Sequence, residues 1–195
     1  MNCATALILL LDVSGSINAE QWDAQRAGHA AALRAPAVVR TAEADGLAIA
    51  AVQFGDRAYP MQGWTVLRSA ADVHALAARI DASPRLSSGM EFTATGTAVL
   101  HALTLLEAAP CGDQAIIDVV SDGRPTAGVP VTQARDAAEA AGVKINALIV
   151  GGDEGDVEAA RAHLITPGGF VMQAATWGQF ADAIRRKLVQ EIGAR

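Results

Sequence analysis

Aromatic side chains are scarce in this chain, at 4% of 195 residues with a single Tyr. Any core must therefore be built from Ala, Leu, Val and Ile, and the many alanines imply close helix packing. Cysteine is almost missing too. Cys3 and Cys111 alone are too few for a disulfide-dense scaffold or a four-cysteine metal site. The four histidines, His29, His74, His101 and His163, fall in separate predicted helices without a His-x-x-x-His pair, so they read as surface or packing residues and zinc is not expected. Positive charge is in deficit, since 15 Lys and Arg against 21 Asp and Glu leave a net −6. With no basic stripe interleaved with aromatics, nucleic acid is not an expected partner. No run of eighteen apolar residues exists, so no transmembrane segment is expected. P-loop and dinucleotide fingerprints are missing as well.

What is present is 51% hydrophobic and 18% charged, ample material for a core and unlike a disordered chain. The length suits one domain, residues 1–195, undivided by any linker, repeat or low-complexity tract.

The most informative stretch is Leu7-Ile8-Leu9-Leu10-Leu11-Asp12-Val13-Ser14-Gly15-Ser16. Its apolar half shows no polar alternation and is too short to span a membrane, so it reads as a central strand, residues 4–11. The run then breaks into a carboxylate and two hydroxyls at alternate positions, just beyond the strand's carboxyl end. Open α/β sheets place their ligands there. All three groups are oxygen donors, which suits a hard divalent cation.

Strand and helix patterns alternate along the rest of the chain. Helices are expected at 19–34 (capped by Asn18), from 69 or 71 to 80, and at 96–108, 131–141, 156–164 and 179–192. Strands are expected at 47–54, 58–64, 115–120, 144–150 and 169–174. The three-residue link before residue 58 is too short for a crossover, so that strand is antiparallel at an edge. The fold expected is α/β: a doubly wound, Rossmann-like, mostly parallel six-stranded sheet of order 3-2-1-4-5-6, with strand 3 antiparallel and helices on both faces. In that order strands one and four are neighbours, and both end in an acid: Asp12, and Asp122 within Ser121-Asp122-Gly123. Two carboxylates in one crevice repel unless a cation or proton intervenes.

These segments resemble the von Willebrand factor A (VWA, integrin I-type) family over nearly the whole chain. Asp12-Val13-Ser14-Gly15-Ser16 is similar to its Asp-x-Ser-x-Ser metal-ion-dependent adhesion motif (MIDAS). Thr93-Ala94-Thr95-Gly96-Thr97-Ala98-Val99 is similar to its Thr-x-x-Gly-x-Ala-Leu segment, and Val119-Val120-Ser121-Asp122-Gly123 to its strand ending in Asp-Gly. Within that family the chain most resembles the bacterial DUF1194 proteins, in the first motif, in Ile116-Ile117-Asp118-Val119 and in residues 180–192. The resemblance implies hydroxyl ligands from Ser14, Ser16 and Thr93, with Asp12 and Asp122 acting directly or through water. It implies Mg²⁺, or Mn²⁺ or Ca²⁺, with one coordination position left for an Asp or Glu of a partner protein. It also implies a secretion signal; here Met1-Asn2-Cys3 opens almost directly onto the strand, as when such a signal has been replaced by a start Met. A periplasmic or secreted location is expected, with a cytoplasmic one as the alternative.

The chain departs from the family where Met90-Glu91-Phe92, rather than Gly-Gly, precedes Thr93. Glu91 adds a carboxylate that could fill the open position from within, and Thr95 is an alternative hydroxyl ligand. The competing reading of Asp12, Ser14 and Ser16 is a turn and helix cap. The leading functional expectation is a non-enzymatic, metal-dependent protein-binding module whose face is formed by residues 12–16, 87–95 and 122–128. A Mg²⁺-dependent hydrolase or phosphotransferase with Asp12 as nucleophile is the alternative. It is weakened because Ser14 stands where such enzymes carry a second acid. A structural domain with a closed metal site is the third.

Other residues read more plainly. Cys3 opens strand one and Cys111 precedes strand four, so adjacent parallel strands would bring them to one edge, opposite the acids; a disulfide is expected. Asp118, inside a strand, is expected to make a structural hydrogen bond or ion pair. Arg185-Arg186-Lys187 reads as favourable charge near a helix C-terminus. Gly151-Gly152-Asp153-Glu154-Gly155-Asp156 lacks the ligand spacing of an EF-hand and reads as a strand-to-helix loop. Trp22 either borders the site or packs on the sheet.

Overall fold

Residue parity along the first strand assigns the two faces of the molecule. In β1 (Thr5–Asp12) every residue is buried. Leu7, Leu9 and Leu11 enter one hydrophobic cluster, while Ile8 and Leu10 enter another. That is the signature of a strand covered on both sides, and it explains the unbroken apolar run. The computed structural model describes residues 3–86 and 92–193.

Among these residues one six-stranded sheet forms, in the order β3-β2-β1-β4-β5-β6. The further strands are β2 (Leu47–Phe54), β3 (Ala58–Leu67), β4 (Gln114–Ser121), β5 (Lys144–Val150) and β6 (Val171–Ala174). All neighbouring pairs are parallel except β2 with β3, which is antiparallel as expected. Helices α1 (Ala19–Leu33), α2 (Pro36–Asp45), α3 (Ala70–Asp81) and α7 (Phe180–Gly193) cover one face; α4 (Thr95–Leu106), α5 (Val131–Ala140) and α6 (Glu154–His163) cover the other. Expected boundaries hold to within a few residues. The sequence reading had no counterpart for α2, which follows α1 after two residues and starts on Pro36 without a side-chain cap. Trp22 is 4% exposed and packs in the core, which decides between its two readings.

Register brings the two acid-tipped strands together. Leu11 of β1 lies level with Val120 of β4. Asp12 is thus beside Ser121, and Asp122 is one residue further on. At the opposite edge Cys3 and Cys111 are bonded, with Cα atoms 5.4 Å apart. Closing a loop 108 residues apart in sequence contributes roughly 4–5 kcal/mol in the chain-entropy account. The intact mass of freshly purified, unreduced protein is expected to fall two hydrogens short of the fully reduced value. Two readily alkylated thiols would contradict this.

The reading of Lys187 needs correction. It is not a charge near a helix end but a fully buried residue in mid-α7, paired with Asp118 of β4 and, at 2.5 Å, with Glu191. Asp118 makes its ion pair as expected. The basic neighbours Arg185 and Arg186 disguised the third residue of the run.

Candidate metal centre

The centre is built where β1 and β4 run out. Asp12, the last residue of β1, is fully buried. Its Oδ1 accepts from the Ser14 backbone N–H (2.8 Å) and its Oδ2 from the Ser121 hydroxyl (2.5 Å). From Ser14 a continuous chain of hydroxyls runs outward. Thr93 Oγ1 donates to Ser14 Oγ (3.0 Å), Ser14 and Ser16 Oγ lie 3.2 Å apart, and Ser16 Oγ donates to Asp122 Oδ1 (2.7 Å). Asp12, Ser14, Ser16, Thr93 and Asp122, from three separate stretches, thus converge on one point. The helix-cap half of the competing reading is taken by Asn18, the cap of α1, while its turn half is present in the bond from the Ser14 N–H to Asp12 Oδ1. The Asn18 side chain accepts from Gln21 N–H, and the Gln21 side chain accepts from Asn18 N–H. Ser14 and Ser16 are left for one another and for the distant Thr93 and Asp122.

Several residues that the sequence reading missed hold this arrangement. Arg85 donates to the carbonyls of Val13 and Ser14, both at 2.9 Å, and so fixes the loop after β1 from behind. Gln25 Nε2 donates to the Asp12 carbonyl at 2.7 Å. Thr126 and Thr93 are reciprocally bonded, N–H of each to an oxygen of the other. At Gly96 a Cβ would lie 2.1 Å from the Val129 carbonyl oxygen, so only glycine lets the start of α4 meet the loop after β4. A lone Arg or Gln in a loop or helix carries no periodic signal. Gly96, by contrast, stood inside the recognisable segment.

Electrostatics divide the cluster into a dry end and a wet end. Burial pushes the Asp12 carboxyl up to about 6, with its hydrogen bonds to Ser121 and Ser14 opposing and Asp122 adding a little. Asp122, half-buried, is raised in the same direction by burial, against the pull of the Ser16 hydroxyl. Ser14 and Thr93 are buried, whereas Ser16 is exposed. The wet end opens into a shallow cavity of about 370 Å³ lined by Ser16, Phe92, Asp122, Arg124 and Thr126. Phe92, at 64% exposure, and Leu86, at 43%, are the exposed large hydrophobic residues among those described.

The donor set fits a hard divalent cation. It is all oxygen, and a carboxylate held out of water beside a second one is relieved by positive charge. No group of three or more His, Cys, Asp or Glu suited to a metal lies among the described residues, so a thiolate or imidazole site is not formed by them. Thr95, the alternative ligand, sits outside the hydroxyl chain; its Oγ1 is buried without a partner. Glu91 and Met90 lie outside the described residues. The four histidines occupy α1, α3, α4 and α6, one each. The loop after β5 ends in a reciprocal cap between Asp153 and Asp156 that starts α6.

The profile of the family described as "Protein of unknown function (DUF1194)" matches residues 2–195. No curated protein matches the chain. Among solved structures it is similar to proximal thread matrix protein 1 from the mussel byssus, with a TM-score of 0.77 and 20% identity over 98% of this chain and 48% of that one. The chain thus spans about half the length of the mussel protein, one structure of which has zinc in its MIDAS motif. It is also similar to the vWF domain of the type V pilus tip protein Mfa5 from Porphyromonas gingivalis (TM-score 0.71, 11% identity, 100% of this chain and 96% of that one). A third likeness is to BatB from Bacteroides thetaiotaomicron (TM-score 0.65, 18% identity, 98% and 100%). At these identities the likeness establishes the VWA-type fold.

Proposed function

The chain belongs to the DUF1194 family, and from the oxygen cluster at its sheet edge we propose that it is a metal-dependent protein-binding module without catalysis of its own. One observation carries the reading: a hydrogen-bonded line from Thr93 through Ser14 and Ser16 to Asp122 runs from beside buried Asp12 out to solvent. Ser14, Ser16 and Thr93 supply neutral hydroxyls, and Asp12 and Asp122 supply charge directly or through water. When bound, Mg²⁺, Mn²⁺ or Ca²⁺ offers a Lewis-acidic point for a partner's Asp or Glu oxygen. Neutral donors leave much of the ion's charge unspent, and five side chains do not complete the six-oxygen shell Mg²⁺ requires. Exposed Phe92 at the rim adds apolar surface suited to a protein partner. The pilus-tip and byssus proteins of similar fold support an interaction role.

Asp12 is poorly placed for nucleophilic attack, since it is fully buried and both carboxylate oxygens already accept hydrogen bonds. The Cys3–Cys111 bond supports an oxidising, exported setting. No helix among the described residues is long and apolar enough to cross a membrane.

Calorimetric titration of Mg²⁺, Mn²⁺ and Ca²⁺ tests the reading directly. Metal must displace the proton from Asp12, whose carboxyl is raised to about 6. Affinity is therefore expected to be flat above pH 7 and to fall about tenfold per unit once the pH drops below 6. A flat profile down to pH 5 would show that metal binding displaces no proton from Asp12, against this expectation.

A further inference from the structure

A second cavity lies on the far side of the turn that carries Asp122. Its volume is about 470 Å³, and it is bounded by the ends of β4 and β5 and by α5 and α6. Val119, Ile149, Val131 and Leu164 form an apolar floor. Thr95 also lines it, 2% exposed, with its buried Oγ1 unpaired.

Gly123 and Arg124 line both this cavity and the crevice holding Ser16 and Asp122. The two are therefore separated only by the width of one turn. That ridge is fixed and low. Arg124 Nε is held by Asp156 Oδ1 at 2.5 Å, while a Cβ at Gly123 would meet no atom within 4 Å. Residues next to each other in an extended segment have Cα atoms about 3.8 Å apart, so one segment can set an acid in the crevice and a neighbouring side chain across the turn. Continuity with the crevice singles out a protein segment over an unattached small molecule.

Resting on the metal-dependent reading above, we propose that this cavity seats a large apolar side chain of the same partner that presents the acid. The recognised feature is thus an Asp or Glu with Leu, Ile, Met or Phe within two positions of it. Burying such a side chain strengthens binding about ten- to a hundredfold over an acid alone.

The test uses the whole chain and a phage-displayed library of random heptapeptides, selected in Mg²⁺ and eluted with EDTA, with Mg²⁺ affinity measured separately by calorimetry. Wild-type protein is expected to enrich acid-plus-apolar pairs. Ala160→Phe, which fills the cavity from α6, is expected to keep wild-type Mg²⁺ affinity and enrich the acid without the apolar neighbour. Thr132→Trp fills it from the exposed start of α5 and is expected to do the same, should Ala160→Phe not fold. Acid-only peptides from the wild type would overturn the cavity's role and leave the metal site standing. So would an unchanged preference in a folded, Mg²⁺-binding filled variant, or no EDTA-eluted peptide from a wild type that binds Mg²⁺. Failure of the wild type to bind Mg²⁺ would overturn the metal reading and this proposal with it.

Discussion

Asp12→Asn is expected to weaken divalent-cation binding by more than about a hundredfold while making the metal-free protein more stable at neutral pH. The first effect follows from its position. Loss of a residue that merely orients a metal ligand commonly costs 10- to 100-fold, and Asp12 supplies the buried charge itself. The second follows from burial. A carboxyl whose folded-state value is raised from 3.8 to about 6 opposes folding when ionised. The penalty begins as pH rises through the unfolded value and is complete above about 6. Two units correspond to about 3 kcal/mol, from which any loss of hydrogen-bond quality at Ser14 and Ser121 must be subtracted. Denaturant unfolding at pH 7 with and without Mg²⁺ reads both effects together. At a hundred times the wild-type Kd the wild type gains about 3 kcal/mol and the variant at most about 0.4 kcal/mol. A destabilised variant that retained the Mg²⁺-dependent gain would contradict both halves.

Lys187→Met is expected to destabilise the protein by about 3–5 kcal/mol, a drop of roughly 10–15 °C in Tm for a chain of this size. Lys187 is wholly buried between β4 and α7, where its ammonium pairs with Asp118 and Glu191. His29 nearby does not replace it, because burial holds the imidazole below its ordinary value. Removing the amine strands Asp118 in an apolar layer. One cation also serves two acids, and burial first, then the Asp118 charge, pushes Glu191 up to about 8. A protonated Glu191 leaves the trio neutral. Its ionisation opposes folding, so stability falls as pH rises from about 5 and is lowest above about 8. Glu191→Gln is expected to remove the slope at the upper end of that range, where Asp12 has already ionised. Urea unfolding at pH 6, 7.5 and 9 separates the two windows; a wild type equally stable at all three would contradict the assignment.

The parts of this molecule that were legible in its sequence are those where chemistry changes abruptly. Apolar strands that stop at Asp12 and at Ser121-Asp122 declare a sheet edge, and strand order follows from alternating helices and the short link after β2. Gly96 and Thr93 were visible through the resemblance of their segment to the family's Thr-x-x-Gly-x-Ala-Leu pattern. Helix α2 was not, since an Ala- and Val-rich stretch so soon after α1 offers neither a side-chain cap nor a clear turn. Arg85 and Gln25 act through carbonyls that only tertiary contact brings near. Lys187 was misread because Arg185 and Arg186 made its turn look solvated, although Asp118 inside an apolar strand already required a buried counter-charge.

The account rests on one ion being held between the tips of β1 and β4. A crystal soaked in Mn²⁺ and measured for anomalous scattering tests this most directly. A single peak is expected within about 2–2.5 Å of the Ser14 and Ser16 hydroxyls, flanked by Thr93, Asp12 and Asp122, with an oxygen of water or of a neighbour's acid completing the shell. A saturated crystal with no peak there, the Ser16–Asp122 and Thr93–Ser14 hydrogen bonds still closed upon each other, would contradict it.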